Sequence, residues 1–318
     1  MSVSDAAIAK DEIMDASLIN ERDEARALSP KVAWPTLFYI ALIWAVHGTM
    51  LYLALSGVGE YWMWTIPLAY VAFSHYTYVH ESIHRNILPN GRTYDLVQTG
   101  FGWVGSVALF GNWAMLSRTH KGHHSHLNTE KDPDIYVKKP LWRLLIRNVM
   151  SAILQLIPLP FLKLLVKDRS PSVGYLNADV SMTRSEKIAH FTANAVMVTF
   201  VWTMIFMGYG WEVFLLYYIP AQGGYNFLAV VFQWLPHHPF EETNRYKASR
   251  NTGYSWLNLP LQWQNWHLMH HLWPSVPFYN YQRLYKSLKP ILVEKGSRIE
   301  EGIVPKGGAI TAKTVPAE

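Results

Sequence analysis

The feature that most constrains this chain is a set of long apolar segments. Four stretches approach or exceed the roughly 20 residues that a helix needs to cross a bilayer, and they lie at residues 33–55, 61–79, 189–208 and 212–235. The short linkers SGVGE and YGW join the first stretch to the second and the third to the fourth. The sequence therefore predicts two helical hairpins, which together form an integral-membrane four-helix bundle.

The basic residues predict how the hairpins are oriented. Residues 33–84 and 188–244 contain no Lys or Arg, so all 28 basic residues lie outside the hairpins. Two hairpins that cross and return place the flanking regions on one side, and the positive-inside rule makes that side cytoplasmic. A buried core of a soluble protein would instead scatter charge between its helices. We expect a multi-pass protein, in the inner membrane if the source is bacterial.

The remaining sequence predicts an all-α protein with one catalytic domain between two tails. We place a polar N-terminal tail at 1–32, the membrane domain at 33–295 and a C-terminal tail at 296–318. Two further apolar stretches, 98–117 and 141–166, lie between the hairpins. We expect them to lie at the cytoplasmic interface as part of a histidine-rich cap, because the first is glycine-rich and the second mixes Leu with Arg and Lys.

Composition excludes several kinds of chemistry. The chain has no cysteine, which rules out disulfides, thiolate nucleophiles and cysteine-ligated iron–sulfur clusters. The net charge of +5 is modest. No basic amphipathic stripe suggests binding to nucleic acid, and a basic surface facing anionic lipids explains the charge better.

Histidines form three clusters next to the predicted membrane segments. The motifs are HESIH, HKGHH and HLMHH, and they hold eight of the 14 histidines. These eight are His80, His84, His120, His123, His124, His267, His270 and His271. Spacings of three and four residues place side chains on one face of a helix, so each cluster can present its imidazoles in one direction.

Such clusters indicate a metal site. Neutral imidazole is available near pH 7 and suits Fe, Zn, Cu or Ni. A single zinc takes about four ligands, so eight histidines oversupply one ion and suit two. Two iron ions held mainly by imidazoles would make an O₂-activating pair. The carboxylate pattern of soluble di-iron bundles, built on Glu and Glu-x-x-His, is not evident here.

A ninth ligand is predicted just after the fourth apolar stretch. In WLPHHPF only one of the two histidines is expected to point inward, and we favour His237 over His238. Pro236 and Pro239 interrupt the helix there. Three isolated histidines in or beside the apolar stretches, His47, His75 and His190, are not predicted to bind metal.

In this order and context, the three motifs resemble those of the integral-membrane fatty acid desaturase and hydroxylase superfamily, over about residues 33–295. The phrases HHSHLNTEKDPD, PHHPFEETNRYKASR and HLMHHLWPSVPFYNYQRLYKSLKPILVEKGS resemble the cyanobacterial-type β-carotene ring hydroxylase branch. The resemblance implies a cytoplasmic cap that binds two irons through the eight box histidines, with His237 in the place of an extra histidine. Gln233 stands where acyl-CoA desaturases have Asn, which leaves its role open.

The resemblance also implies the reaction and its partners. O₂ would be the co-substrate, no residue beyond the metal ligands would be catalytic, and no organic cofactor would be bound. The chain has no His-Pro-Gly-Gly cytochrome b5 motif. The letters GFGWVG at 100–105 match G-x-G-x-x-G, but they lie in an apolar stretch and follow no predicted strand, so no dinucleotide fingerprint is evident. Electrons must therefore come from a separate donor protein, such as a ferredoxin or a cytochrome b5.

Other side chains are expected to support the ligands or to line the substrate path. Histidine ligands usually have acceptors behind them, and the candidates are Glu81, Asp132, Asp134, Glu241 and His126. Tryptophans near the boxes could line an apolar tunnel, although packing in the core is the simpler interpretation. These are Trp113, Trp263, Trp266 and Trp273.

Three functions remain open from the sequence. The preferred one is a di-iron hydroxylase of carotenoid β-rings, and the alternative is a desaturase or hydroxylase of fatty acyl lipids. A membrane metal transporter or sensor is a remote third possibility, because His47, His75 and Glu212 provide too few polar groups for an ion path. In each case membrane lipids surround the protein, and in the first two the substrate is lipophilic.

Overall fold

The computed structural model describes residues 19–158, 161, 182–300 and 302–305. Within these residues the regular structure is helical, and the β pairing is limited to an isolated bridge between Arg250 and Arg298. The all-α prediction is confirmed for this part of the chain. Residues 1–18, 159–160, 162–166, 301 and 306–318 of the predicted tails and interfacial stretch lie outside it.

The four apolar stretches all form helices. We number the helices in chain order, with α1 at Glu21–Ala27. The first hairpin consists of α2, Trp34–Leu55, and α3, Tyr61–His84. The second consists of α7, Arg184–Phe206, and α8, which begins at Gly210 and continues to His237.

Helix α8 is not a regular α-helix. Its α-helical parts are Gly210–Val213, Ile219–Leu228 and Leu235–His237, and π-helical segments occupy Phe214–Tyr218 and Ala229–Trp234 between them. A proline follows each π segment at the next helical turn. Because proline has no amide hydrogen and clashes with the preceding turn, it favours such local rearrangement.

Among the described residues, two helices are long and apolar enough to cross a membrane, α2 and α7. The sequence predicted four. Helix α3 is richer in polar residues, and Ser74, His75 and Thr77 on it are all buried. These polar side chains are buried against neighbouring residues, and they lower the mean hydropathy of α3. Helix α8 likewise carries Gln222 and Gln233.

Helix α3 is the centre of the packing and contacts α2, α8 and the helix α4, which covers Arg92–Val107. The contact with α8 is close at Gly224, where an added Cβ would lie 2.7 Å from the Ala69 carbonyl oxygen. The contact with α4 is close at Gly105, where it would lie 2.6 Å from the Val79 side chain. Small residues therefore let the helices approach closely enough to bring their histidine-bearing ends together.

The described part of the region between the hairpins contains three α-helices. Helix α4 covers Arg92–Val107, α5 covers Trp113–His126 and α6 covers Leu141–Gln155. The predicted stretch 98–117 is divided between α4 and α5 rather than forming one helix. Phe110 has a φ of 50°, and the Asn112 side chain caps the start of α5 by accepting from the Met115 amide. Helix α6 exposes one apolar face, formed by Trp142, Ile146, Val149, Met150 and Ile153.

The C-terminal region contains the third histidine motif and the helix that packs against it. It contains α9, His267–Leu272, and α10, Tyr281–Glu294, whose apolar residues share one core cluster with Ala25 of α1. The Tyr246 hydroxyl donates to Glu21 across this contact at 2.6 Å. The end of the predicted N-terminal tail is therefore docked on the domain that carries the histidines.

Candidate metal centre

Four chain segments deliver histidines to one place. The end of α3 supplies His80 and His84, α5 supplies three residues of HKGHH, α9 supplies three residues of HLMHH, and α8 ends at His237. Each segment is a helix or a helix end, so the spacing of the motif fixes the direction of its rings. The structure thereby brings all nine predicted histidines together.

Five of the nine form a first cluster around a common point. Nε2 of His80 lies 3.0 Å from Nε2 of His270, and Nε2 of His84 lies 2.8 Å from Nε2 of His120. Nε2 of His124 is 2.8 Å from the same atom of His270 and 3.2 Å from that of His120. The Nε2 atoms of five imidazoles thus point toward one place. Such an arrangement is suited to a cation that the nitrogen lone pairs can bind.

The other four form a second cluster beside the first. Nε2 of His237 lies 3.2 Å from Nε2 of His123 and 3.2 Å from Nε2 of His271. The His267 ring completes the group, with its centroid 5.1 Å from that of His237 and 4.8 Å from that of His271. Ligand atoms of His123, His237 and His271 all lie within 4.8 Å of one another, as do those of four residues of the first cluster.

Neighbouring histidines in the sequence separate into different clusters. His123 belongs to the second cluster and His124 to the first. His270 belongs to the first cluster and His271 to the second. The two clusters touch where the rings of His124 and His271 stack, with centroids 4.4 Å apart. One HxxHH motif can therefore serve both clusters, because adjacent helical positions point about 100° apart.

Burial keeps the imidazoles neutral. It holds the pKa of His120, His267, His270 and His271 well below the usual range, and the charges of neighbouring histidines lower it further. The neutral ring is the form that binds a metal. At physiological pH the clusters therefore have free lone pairs.

His123 differs because two carboxylates lie behind it. Its Nδ1 donates to Asp132 at 2.9 Å, and Asp134 lies 4.0 Å from the same atom. Burial lowers the pKa of His123, but the hydrogen bond and the two negative charges outweigh burial and raise it. In turn, burial raises the pKa of Asp132, yet the bond with His123 gives a net lowering. This pair fixes the ring so that Nε2 faces the cluster.

Three further groups behind the rings were not found from the sequence. Nδ1 of His270 lies 3.0 Å from the Tyr281 hydroxyl, and Nδ1 of His267 lies 3.0 Å from Oε1 of Gln264. Nδ1 of His237 lies 3.4 Å from the Ala248 carbonyl oxygen. Gln264 stands three residues before its histidine, so helical spacing could have indicated it, whereas nothing local pointed to Tyr281 or Ala248.

The predicted supporting groups divide into those near the rings and those far from them. Glu81 is fully buried and one carboxylate oxygen lies 3.6 Å from Nδ1 of His80. Glu241 and His126 are exposed and make no contact with a ring among the described residues. Gln233 forms no hydrogen bond with a histidine among the described residues; it lies 3.3 Å from Asp134 and 3.3 Å from the Tyr136 hydroxyl. It therefore acts on the carboxylate behind His123.

The remaining histidines of interest lie elsewhere. His238 stacks on Trp234 and its Nδ1 lies 3.0 Å from the Val137 carbonyl oxygen, so it points away from both clusters. His47 and His75 form a pair, 2.9 Å apart, between α2 and α3. His190 on α7 bonds with Asn112 at 3.0 Å. The expectation that His237 rather than His238 faces the site agrees with this geometry.

A cavity of about 280 Å³ opens beside the histidines. His120, His123 and His267 form part of its wall. None of the four tryptophans considered for a tunnel lines it: they pack in the core clusters instead, and Trp266 stacks near Tyr285 with centroids 4.7 Å apart. For these tryptophans the core interpretation is supported.

The fold and site define a helical protein whose histidine motifs converge on two adjoining nitrogen cages suited to metal ions. Residues 59–302 match the fatty acid desaturase family, and this match spans most of the chain. The chain belongs to that family, whose members are membrane-bound oxidoreductases. The match gives no separate support to the β-carotene hydroxylase branch. Among curated proteins, none matches this sequence.

Proposed function

We propose that the two cages bind two iron ions. The first ion would be held by His80, His84, His120, His124 and His270, and the second by His123, His237, His267 and His271. The donor set fits iron, because the groups that converge are neutral imidazole nitrogens. The hydrogen bonds on the Nδ1 atoms of His123, His267 and His270 support this assignment, since they leave Nε2 for the metal.

We further propose that the protein uses O₂ to oxidise a C–H bond of a lipophilic substrate. When bound, two irons would supply O₂ activation and an oxidant strong enough for an unactivated C–H bond. The protein supplies position and a dry surrounding: the helices hold the rings rigidly, and Tyr76 and Phe232 lie against His80 at centroid distances of 6.1 and 5.4 Å. Such shielding excludes water from the reacting atoms.

A fatty acyl chain is the first substrate candidate, because it is the substrate class after which the matched family is named. The carotenoid β-ring is the second candidate, supported by the sequence phrases around the second and third histidine motifs. A transporter is disfavoured by the closed form of the cages: His80, His120 and His270 are at most 8% exposed. An ion on a transport path needs neighbouring polar sites on both sides.

The arrangement in the membrane is also a proposal. Helices α2, α3, α7 and α8 would cross the bilayer as two hairpins and leave the histidine cap on the cytoplasmic side. The absence of Lys and Arg from residues 33–84 and 188–244 supports this orientation. An electron donor such as a ferredoxin or a cytochrome b5 would then dock from the cytoplasm.

Lipid and pigment profiling tests the proposed reaction. The gene is expressed, with a reductase and ferredoxin, in a bacterium that makes β-carotene, and the products are compared with those of a His270→Ala variant. New unsaturated or hydroxylated acyl chains that depend on His270 are expected. Hydroxylated carotenoids with unchanged acyl chains would instead establish the second candidate.

Metal analysis separates the oxygenase from any other metal protein. The purified protein should contain about two irons per chain and consume O₂ when electrons are supplied. Tight binding of zinc without O₂ consumption by the iron-loaded protein would reject the proposed function.

A further inference from the structure

A loop between α8 and α9 lies apart from the metal centre and has no part in the proposed function. We name residues 254–261, YSWLNLPL, the apolar loop. Its Leu257 and Leu261 are buried and belong to a core cluster that also contains residues of α2, α3 and α8. Trp256 and Leu259, in contrast, are 66% and 72% exposed. The outward side of the loop is therefore as apolar as its packed side, which is typical of an interaction surface.

The sequence around the apolar loop has no charge. Residues 251–266 contain no Asp, Glu, Lys, Arg or His, although the six residues before them, RYKASR, include three basic ones. A loop that faces water is normally built from polar residues, and exposed apolar ones then need a functional reason. The composition of this segment favours apolar surroundings over water.

The position of Tyr70 gives the depth of the apolar loop. Its hydroxyl donates to the carbonyl oxygens of Leu259 and Pro260, at 3.2 and 3.4 Å. Tyr70 lies 14 residues before His84, the last residue of α3, which corresponds to about 21 Å along the helix. Tyr70 is 43% exposed, and Ile66, one turn earlier on the same face, is 79% exposed. The tip of the loop therefore extends the outward face of α3, far from the helix end that carries the histidines.

The backbone at the tip of the loop is suited to surroundings without water. In hydrocarbon, backbone polar groups must find their partners within the protein. The Tyr70 hydroxyl is such a partner for the carbonyl oxygens of Leu259 and Pro260, and proline has no amide hydrogen to satisfy. The Leu261 amide donates to the Leu257 carbonyl oxygen at 2.9 Å. The turn of the loop and one tyrosine of α3 thus pair backbone groups that would otherwise need water.

Basic side chains of α10 border the apolar loop. The Asn258 side chain donates to Oε1 of Gln282 at 2.7 Å, which joins the loop to the start of α10. Arg283 is the next residue, and Lys286 lies one turn after Gln282 on the same face; both are exposed. An apolar segment bordered by Lys and Arg matches a lipid leaflet, because acyl chains cover the apolar part and anionic headgroups attract the cations.

We propose that the apolar loop is inserted among the acyl chains of the leaflet on the side of the histidine cap. This inference rests on the proposed membrane arrangement, since α3 must cross the bilayer for its outward face to contact lipid. Lipid is favoured over a second copy of the chain because the tip of the loop continues that face. The loop leads into HLMHH, and Gln262 donates to the Ser74 hydroxyl of α3 at 2.6 Å. The inserted loop therefore holds the third histidine motif at a fixed level relative to the bilayer.

Fluorescence quenching tests this insertion without turnover. The chain has no native cysteine, so Leu259→Cys and Trp256→Cys each give one site for an NBD label in the full, iron-loaded protein. The labelled proteins are reconstituted in vesicles of phosphatidylcholine and phosphatidylglycerol. They are quenched either by a nitroxide on the lipid acyl chains or by iodide in the water. We expect the acyl-chain nitroxide to reduce the emission of both labels strongly and iodide to reduce it little.

Two further labels calibrate the quenching. Ile66→Cys, on the outward face of α3, is the lipid-facing reference. Thr243→Cys, at an exposed polar position before the loop, is the water-facing reference. Loop labels that respond as the Ile66→Cys label does would support the inference. Loop labels that iodide quenches as strongly as the Thr243→Cys label, or that neither quencher reaches because protein covers them, would overturn it.

The references also separate this inference from the proposals on which it rests. If the acyl-chain nitroxide quenches the Ile66→Cys label but not the loop labels, α3 lies in lipid and only the loop insertion is wrong. If iodide quenches the Ile66→Cys label, the membrane arrangement is wrong and the loop insertion fails with it. Iron content and O₂ consumption, measured on the same labelled proteins, test the proposed reaction independently.

Discussion

Nδ1 of His123 lies 2.9 Å from Oδ1 of Asp132, and both side chains are buried. The same carboxylate accepts the backbone amides of Asn128 and Asp134. The backbone thus holds Asp132, and Asp132 holds the ring. The loop after α5 therefore determines where one nitrogen of the second cluster points.

Replacing this carboxylate should weaken the second metal. In Asp132→Asn we expect the affinity for the more weakly held iron to fall about 10- to 100-fold. The amide has no negative charge, and its NH2 group cannot accept a backbone amide as the second carboxylate oxygen does. Competition with a chelator measures this affinity. Glu241→Gln is the control, since Glu241 is exposed. An unchanged affinity in Asp132→Asn would remove Asp132 from its supporting role.

The two neighbouring histidines at the end of α8 should behave differently. His237→Ala removes a nitrogen that lies 3.2 Å from two other cluster nitrogens, so the variant should hold about one iron per chain instead of two. His238→Ala removes a ring that bonds to the Val137 carbonyl oxygen and should keep both. Metal content and unfolding temperature are measured together. The opposite pattern would show that His238 is the ligand.

The Tyr281 hydroxyl should matter for the first metal. It lies 3.0 Å from Nδ1 of His270, and Tyr281 is fully buried. Tyr281→Phe keeps the packing and removes the acceptor, so iron affinity at the first cluster should drop about tenfold or more. Tyr279→Phe changes a neighbouring tyrosine whose hydroxyl bonds to no histidine among the described residues, so it should leave iron affinity unchanged. Competition with a chelator measures the iron affinity of both variants.

Close packing of α8 on α3 should make Gly224 intolerant of a side chain. A Cβ there would lie 2.7 Å from the Ala69 carbonyl oxygen and 2.8 Å from the Phe73 amide nitrogen, and backbone atoms cannot rotate away. Gly224→Ala should therefore destabilise the protein by about 1–3 kcal/mol, seen as a lower unfolding temperature in detergent. Gly48→Ala, with nothing within 4 Å of the added Cβ, should not. Equal temperatures in the two variants would contradict the packing argument.

The metal-free protein should lose stability in acid. Burial holds the pKa of His120, His267, His270 and His271 well below 6.5 in the folded state. The unfolded chain therefore binds more protons below about pH 6.5 and is favoured as pH falls. The free energy of unfolding, measured with denaturant at about pH 7.5, 6.0 and 5.0, should decrease steadily as the pH falls. His271→Gln should reduce the slope, whereas His126→Gln, at an exposed position, should not.

The sequence by itself determined the features that depend on local spacing. The apolar lengths of α2, α3, α7 and α8, and the three- and four-residue spacing within HESIH, HKGHH and HLMHH, follow from helix geometry. The three motifs contain eight histidines and one carboxylate, Glu81, which indicated imidazole ligands. These signals lie within one or two turns of a helix, so no knowledge of the rest of the chain was needed.

Only the tertiary structure decided how distant segments combine. It assigned His123 and His124 to different clusters, placed Tyr281 and Gln264 behind ligand rings, and connected Gln233 to Asp134 rather than to a histidine. It also brought the Leu259 carbonyl oxygen of the apolar loop to the Tyr70 hydroxyl of α3. These relations depend on how helices cross and how closely glycines let them approach, and side-chain packing between elements far apart in the sequence leaves no periodic mark within any one of them.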